Sequence, residues 1–213
     1  MVIYFIIIFF MIVIDGEFTG LDPNIHSLVS LGAVDLYNPD NQFYGECRMW
    51  DGASYNLEAL DINGFSVDDI NDKSKKTLVE MIKDFDKWLK TCTTPQILIG
   101  QNPMSDIAFL KSSYEKAGLE YTLGHRSIDM HTVVFMKYLD LGINIPLDEY
   151  GYKINLDKAM DFVGIKGGEP KPHNALTGAK CEAEVIWRVM KGKKLLKEFK
   201  NNEVSEYLLR KDK

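Results

Sequence analysis

Thirteen consecutive apolar residues, Val2 to Ile14, run straight into two carboxylates, Asp15 and Glu17, in a stretch that ends FFMIVIDGEFTGL. The run is short of the ~20 residues that a membrane-spanning helix requires. No Lys or Arg precedes it and no small-residue cleavage site follows, so it is also a poor secretory signal, and no stable membrane insertion is expected. Strands average roughly five or six residues. The run therefore divides into a strand over Phe10 to Asp15 and a hydrophobic extension, residues 1–9, which alone would support a membrane-tethered reading. Met11 is a candidate initiator.

Behind that strand, SLVSLGAVDL (Ser27 to Leu36) and QFYGECRM (Gln42 to Met49) are strand-like and flank the turn signal NPDN, which predicts an antiparallel meander. Lys76 to Thr91 sets Leu78, Met81, Ile82, Phe85, Trp88 and Leu89 on one helical stripe and leads into a short buried strand, Ile97 to Gly100. Pro103 opens the next helix, which ends at Gly118. Further helices are expected over Met130 to Leu141, Leu156 to Val163, Ala175 to Met190 and Leu195 to Leu209, with loops over Gly142 to Asn155 and Gly164 to Pro172. With no repeat and no linker, 213 residues make one domain, and three leading strands followed by alternating helices and strands argue for a mixed α/β sheet.

Charge narrows the function. The net charge is −6, but residues 188–213 hold nine Lys/Arg against four Asp/Glu, which leaves −11 on residues 1–187. So acidic a body argues against a passive nucleic-acid binder held by counterion release. It leaves room for an enzyme whose acidic site is neutralised by divalent cations. The basic segment 193–213 reads as a solvated amphipathic helix or tail. Cys47, Cys92 and Cys181 are odd in number and far apart, so neither a disulfide framework nor a zinc site is written here, and a reducing, cytoplasmic setting is expected.

Three segments carry chemistry. Alternate side chains of a strand share a face, so Asp15 and Glu17 can point together and hold hard divalent cations, or they can be a solvated strand end. In ILIGQNPMSDIAFL, Asp106 falls in the first turn of a helix, where it either stabilises the positive end of the dipole or joins the acids. In PHNALTGAKCEAEV, His173 stands just before a helix, as a capping or surface residue or as a general base, since an imidazole can take up a proton near neutral pH.

Together the segments resemble the DEDD family of 3′-to-5′ exonucleases, in the DnaQ-like branch with a histidine base. Over roughly residues 10 to 190, DGEFTGL resembles the first exonuclease motif, LIGQNPMSDIAFL the second and HNALTGAKCEAE the third. YNLEALDINGFS and RSIDMHTVVF echo the family's segments after its third strand and after its second motif. The resemblance implies a ribonuclease H-like mixed sheet flanked by helices, spanning an exonuclease domain over residues 10–192. It further implies two Mg²⁺ or Mn²⁺ ions about 4 Å apart held by Asp15, Glu17 and Asp106, with His173 as the base. Phe18, Thr19, Gly20 and Leu21 match the positions that line the terminal nucleotide in relatives, and Phe65 either stacks on a base or packs in the core. Hydrolysis from the 3′ end of single-stranded DNA or RNA is the expected activity, and a non-catalytic nucleic-acid-binding or partner-binding module on the same fold is the alternative. Homodimerisation occurs in parts of the family, but no interface signature stands in this sequence.

One position departs from the pattern. The family's third motif expects a metal-binding acid five residues after the histidine, and this chain has Gly178 there. A glycine inside a helix costs ~1 kcal/mol relative to alanine, so local stability does not recommend it. Either the residue has been changed or misread, or the chain is a relative of lowered activity, or another acid substitutes. Glu182, one helical turn on from Gly178, is the candidate substitute, and otherwise it is a surface glutamate with no role.

Overall fold

An apolar run without polar alternation has to be covered on both faces, and the first strand is. The computed structural model describes residues 10–92, 96–149 and 151–209, so the extension over residues 1–9 and the end of the basic tail lie outside the described residues. Strand β1 is Phe10–Phe18, three residues longer than expected, and it carries Asp15 and Glu17 inside the strand. Met11 and Val13 face one hydrophobic core, and Ile12 and Ile14 face the other.

β2 (Leu28–Asp35) and β3 (Gln42–Glu46) complete the predicted meander. Two short helices, α1 (Leu57–Asn63) and α2 (Val67–Asn71), lead to α3 (Leu78–Leu89), β4 (Gln96–Gly100) and α4 (Met104–Lys116). β5 (Ser127–Asp129), α5 (Met130–Leu141), a small hairpin β6 (Leu147–Asp148) and β7 (Gly151–Tyr152), α6 (Leu156–Phe162) and α7 (Ala175–Lys191) follow. The hairpin falls where a loop was expected. The sheet order is β3-β2-β1-β4-β5, with β1 antiparallel to β2 and parallel to β4. Helices α3 and α4 cover one face, and α5, α6 and α7 cover the other. This is the mixed, helix-flanked α/β sheet of a ribonuclease H-like fold.

The last helix is brought close to the sheet by one missing side chain. Gly32 of β2 pairs directly with Asp15 of β1, and a Cβ on it would lie 2.1 Å from the carbonyl oxygen of Ala175 in the first turn of α7. Asn174 caps that turn by accepting from the N–H groups of Leu176 and Thr177.

The helix expected over Leu195 to Leu209 does not form. Two 3-10 turns, Lys197–Phe199 and Glu206–Leu208, stand in its place. The reason is a fully buried ion pair, Arg188 Nε to Glu184 Oε1 at 2.6 Å. The Arg188 guanidinium also donates to the carbonyl oxygens of Val163, Phe199, Asn202 and Glu203, while Glu184 Oε2 accepts from the N–H groups of Leu195 and Leu196. Backbone groups that a helix would satisfy internally are used here to dock the segment, with Leu196, Val204 and Leu208 buried.

Candidate active site

Odd-numbered residues of β1 face α7, so the alternation that buries Met11 and Val13 also aims Asp15 and Glu17 at that helix. Asp106 comes from the first turn of α4, at the end of the parallel pair β1 and β4, where its carboxylate accepts from the N–H of Gly16 as well as its own. It therefore serves its helix and reaches the first motif at once. Glu182 of α7 is 3% exposed, which corrects the picture of a surface glutamate. Its Oε2 accepts from Gln101 N–H at 3.0 Å, while the next N–H, of Asn102, donates to Asp129 Oδ1 at 3.1 Å, so both acids tie down the end of β4.

These carboxylates crowd one another. Burial, then Glu182, Asp106 and Glu17, pushes Asp15 well above the usual carboxylate range. Glu17 rises to about 7, from burial first and then from Glu169 and Asp106. Asp106 is also pushed up to about 7 by burial, against the pull of its two backbone hydrogen bonds. Burial followed by Asp106 raises Glu182 strongly. The strongest charges acting on Asp15, Glu17 and Glu182 are all acids. A buried negative cluster without a positive partner holds protons or takes up cations.

His173 stands at the rim, with Nδ1 3.7 Å from Glu169 Oε2. Glu169 is the member of the cluster that sequence reasoning missed. It lies in a loop-rich stretch with no motif of its own, and the only signal for it is its place four residues before His173. Beside His173 opens a cleft of about 260 Å³ lined by Ser30, Tyr44, Asn63, Phe65 and Lys75. Phe65 lines this cleft and also packs against the small core of Val29, Leu60 and Ile70.

The residues after Glu17 divide. Phe18 is stacked on Phe109, ring centroids 4.0 Å apart, and belongs largely to the core. Thr19 is fully buried and its hydroxyl is used internally, donating to Ser54 O and accepting from Ser27 N–H. Gly20 is explained by His26, whose ring would lie 2.3 Å from a Cβ there. Leu21 is the one of the four with an exposed side chain, 95% exposed.

Gly178 faces the cluster from α7, where a Cβ would stand 2.0 Å from Asp15 Oδ2. Among the described residues, no group of three or more His, Cys, Asp or Glu is arranged to hold a metal ion as it stands. The donor chemistry nonetheless suits hard divalent cations, because the groups that crowd together here are carboxylates.

No family model and no curated protein matches the sequence. Solved structures do match. E. coli exonuclease I in complex with a dT13 oligonucleotide aligns with a TM-score of 0.67 and 14% identity, over 87% of this chain and 42% of that one. The nuclease domain of 3′hExo, a DEDDh family member bound to rAMP, aligns with a TM-score of 0.65 and 14% identity over 92% of this chain and 96% of that one. The chain has a DEDDh exonuclease-like fold. Cell-death related nuclease 4 shares this DEDDh-like fold at a TM-score of 0.67 and 13% identity, covering 92% of this chain and 66% of that one. The chain thus spans less than half the length of exonuclease I and nearly all of the 3′hExo nuclease domain. No helix among the described residues is long and apolar enough to cross a membrane.

Proposed function

We propose that this chain is a metal-dependent exonuclease that hydrolyses phosphodiesters from the 3′ end of single-stranded DNA or RNA. The observation that carries the reading is the convergence of Asp15, Glu17, Asp106 and Glu182 on one buried point with His173 at its rim. In this reading Asp15, Glu17 and Asp106 hold two Mg²⁺ or Mn²⁺ ions, which when bound would stabilise charge on the attacking and leaving oxygens. His173 takes the proton of the attacking water. Its Nδ1 faces Glu169, which leaves Nε2 as the atom that receives that proton. Leu21 meets the terminal base and the cleft lined by Phe65 takes the neighbouring nucleotide, a path that suits splayed, unpaired bases. The same fold in E. coli exonuclease I, in complex with a dT13 oligonucleotide, supports a single-stranded ligand. All three cysteines are buried and free, which supports a reducing compartment such as the cytoplasm.

The test follows 5′-labelled single-stranded DNA and RNA with Mg²⁺ or Mn²⁺, comparing this chain with Glu17→Ala. Stepwise shortening from the 3′ end that disappears in Glu17→Ala is expected. No shortening of either strand by the unmodified chain overturns the enzyme reading. The second reading, a binding module without turnover, is favoured by Gly178 and by the lack of a ready three-ligand site among the described residues. It predicts retention of 3′-ended strands with no product.

A further inference from the structure

We infer that Glu169 supplies the cation-binding carboxylate that position 178 lacks. The inference rests on the nuclease reading above and names the residue that completes its site. The space in which a side chain at 178 would stand is already filled by oxygen. A Cβ there would meet Asp15 Oδ2 at 2.0 Å and Glu169 Oε1 at 3.1 Å. An acid from the loop between α6 and α7 has reached the place that an acid of α7 would take, beside Asp15.

The loop is built to deliver it. Glu169 N–H donates to Asp157 Oδ1 at 2.8 Å, and the same oxygen would lie 2.5 Å from a Cβ on Gly168, whose φ of +70° also favours glycine. The Glu169 side chain is 9% exposed, with Oε2 turned to His173 Nδ1. Oε1 is the oxygen that approaches Asp15. Glu17, 6% exposed, belongs to the same group of acids, and Glu169 is the charge that acts on it most strongly.

Glu182 fills a different place. It too acts strongly on Asp15, but its Oε2 is held by Gln101 N–H and Asp106 is the charge acting on it most strongly, which sets it at the α4 side of the cluster. Glu169 stands on the side of Asp15, Glu17 and His173. It also orients the imidazole while contributing an oxygen to the site.

The experiment titrates the metal-stripped full chain with Mn²⁺, reading free Mn²⁺ by electron paramagnetic resonance, for the unmodified chain, Glu169→Gln, Glu182→Gln and Asp15→Asn. Urea melts confirm that each variant folds. The unmodified chain is expected to bind two ions, and Asp15→Asn to weaken both. Glu169→Gln, which keeps size and removes charge, is expected to weaken one ion by about tenfold or more, a scale that even outer-shell partners of a metal reach. Two ions bound by Glu169→Gln with unchanged affinities overturn the assignment while the Asp15→Asn result keeps the nuclease site standing. Loss of that ion in Glu182→Gln and not in Glu169→Gln overturns it in favour of Glu182. Absence of Mn²⁺ binding by the unmodified chain overturns the inference and the metal-dependent reading together.

Discussion

Replacing Gly178 by alanine isolates the physics of the departing motif. In an ordinary helix interior this change gains about 1 kcal/mol, because alanine loses less backbone freedom on folding. Here the added Cβ would stand 2.0 Å from Asp15 Oδ2. Ordinary heavy-atom contact is about 3.5 Å, so the oxygen has to retreat by roughly 1.5 Å. A carboxylate retreats by turning about its side-chain torsions, at a cost of about 0.5–1.5 kcal/mol once it leaves a staggered well. The neighbours it turns towards include Glu182 and Asp106, both acids. Gain and cost therefore cancel, and Gly178→Ala is expected to leave stability near that of the unmodified chain. The assay is a double-mutant cycle by urea melting in EDTA, with Asp15→Ala as the second change. Once the Asp15 carboxylate is gone, Gly178→Ala should deliver its full gain of about 1 kcal/mol, a coupling well outside the roughly 0.3–0.5 kcal/mol of independent sites. Additive effects, with the full gain present in the single variant, would refute the idea that Asp15 fills this space. The same collision means that Gly178→Asp is not a simple restoration of the family's acid, because its own Cβ displaces Asp15 first.

Other outcomes follow from the same geometry. Because the folded-state pKa of Glu17 is raised from 4.5 to about 7, the stability tied to its protonation is present below pH ~4.5 and lost as pH rises through ~7. For the metal-free chain that loss is about 3 kcal/mol, so Glu17→Gln should be more stable than the unmodified chain at pH 8 and equal to it at pH 4.5, by urea melts in EDTA. Gains of the same size at both pH values would discount the burial of that charge. Arg188→Ala leaves Glu184 buried without its guanidinium partner and should cost about 3–5 kcal/mol, with faster proteolysis within residues 195–209; a melt unchanged by the substitution would count against the docking described. Gly32→Ala should push α7 off the sheet, costing about 1–3 kcal/mol and weakening Mn²⁺ binding, and intact Mn²⁺ affinity would show that α7 does not need that approach. Leu21→Ala, at an exposed site, should alter stability by less than about 0.5 kcal/mol yet raise KM for a single-stranded substrate.

Much of the fold was legible in the sequence because burial imposes periodicity. The stripe Leu78, Met81, Ile82, Phe85 gave α3, and Met130–Leu141 fell on its observed limits because Asp129 caps one end and Gly142 stops the other. The C-terminal segment was misjudged for a physical reason: its apolar and basic spacing suits a helix, but Arg188 takes up its carbonyl groups from a distance that no local pattern encodes. Within the site, Asp15, Glu17, Asp106 and His173 stood out in the sequence because each borders an apolar run that reads as a strand or helix. Glu169 was not, since a loop acid gains its meaning only from where the loop folds back. Gly20 carries a packing reason that no local pattern signals, because a Cβ there would meet the His26 ring.

The contact between Gly32 and Ala175 sets a ruler for the whole site. With α7 seated this close to the sheet, the space in front of position 178 is already met by Asp15 Oδ2 and Glu169 Oε1. Acids that serve the far side must then arrive obliquely and on longer arms, and both that do so, Glu169 and Glu182, are glutamates. In a chain of this fold with a bulkier residue at the place of Gly32, the helix would ride higher and the shorter acid would again be the one that fits.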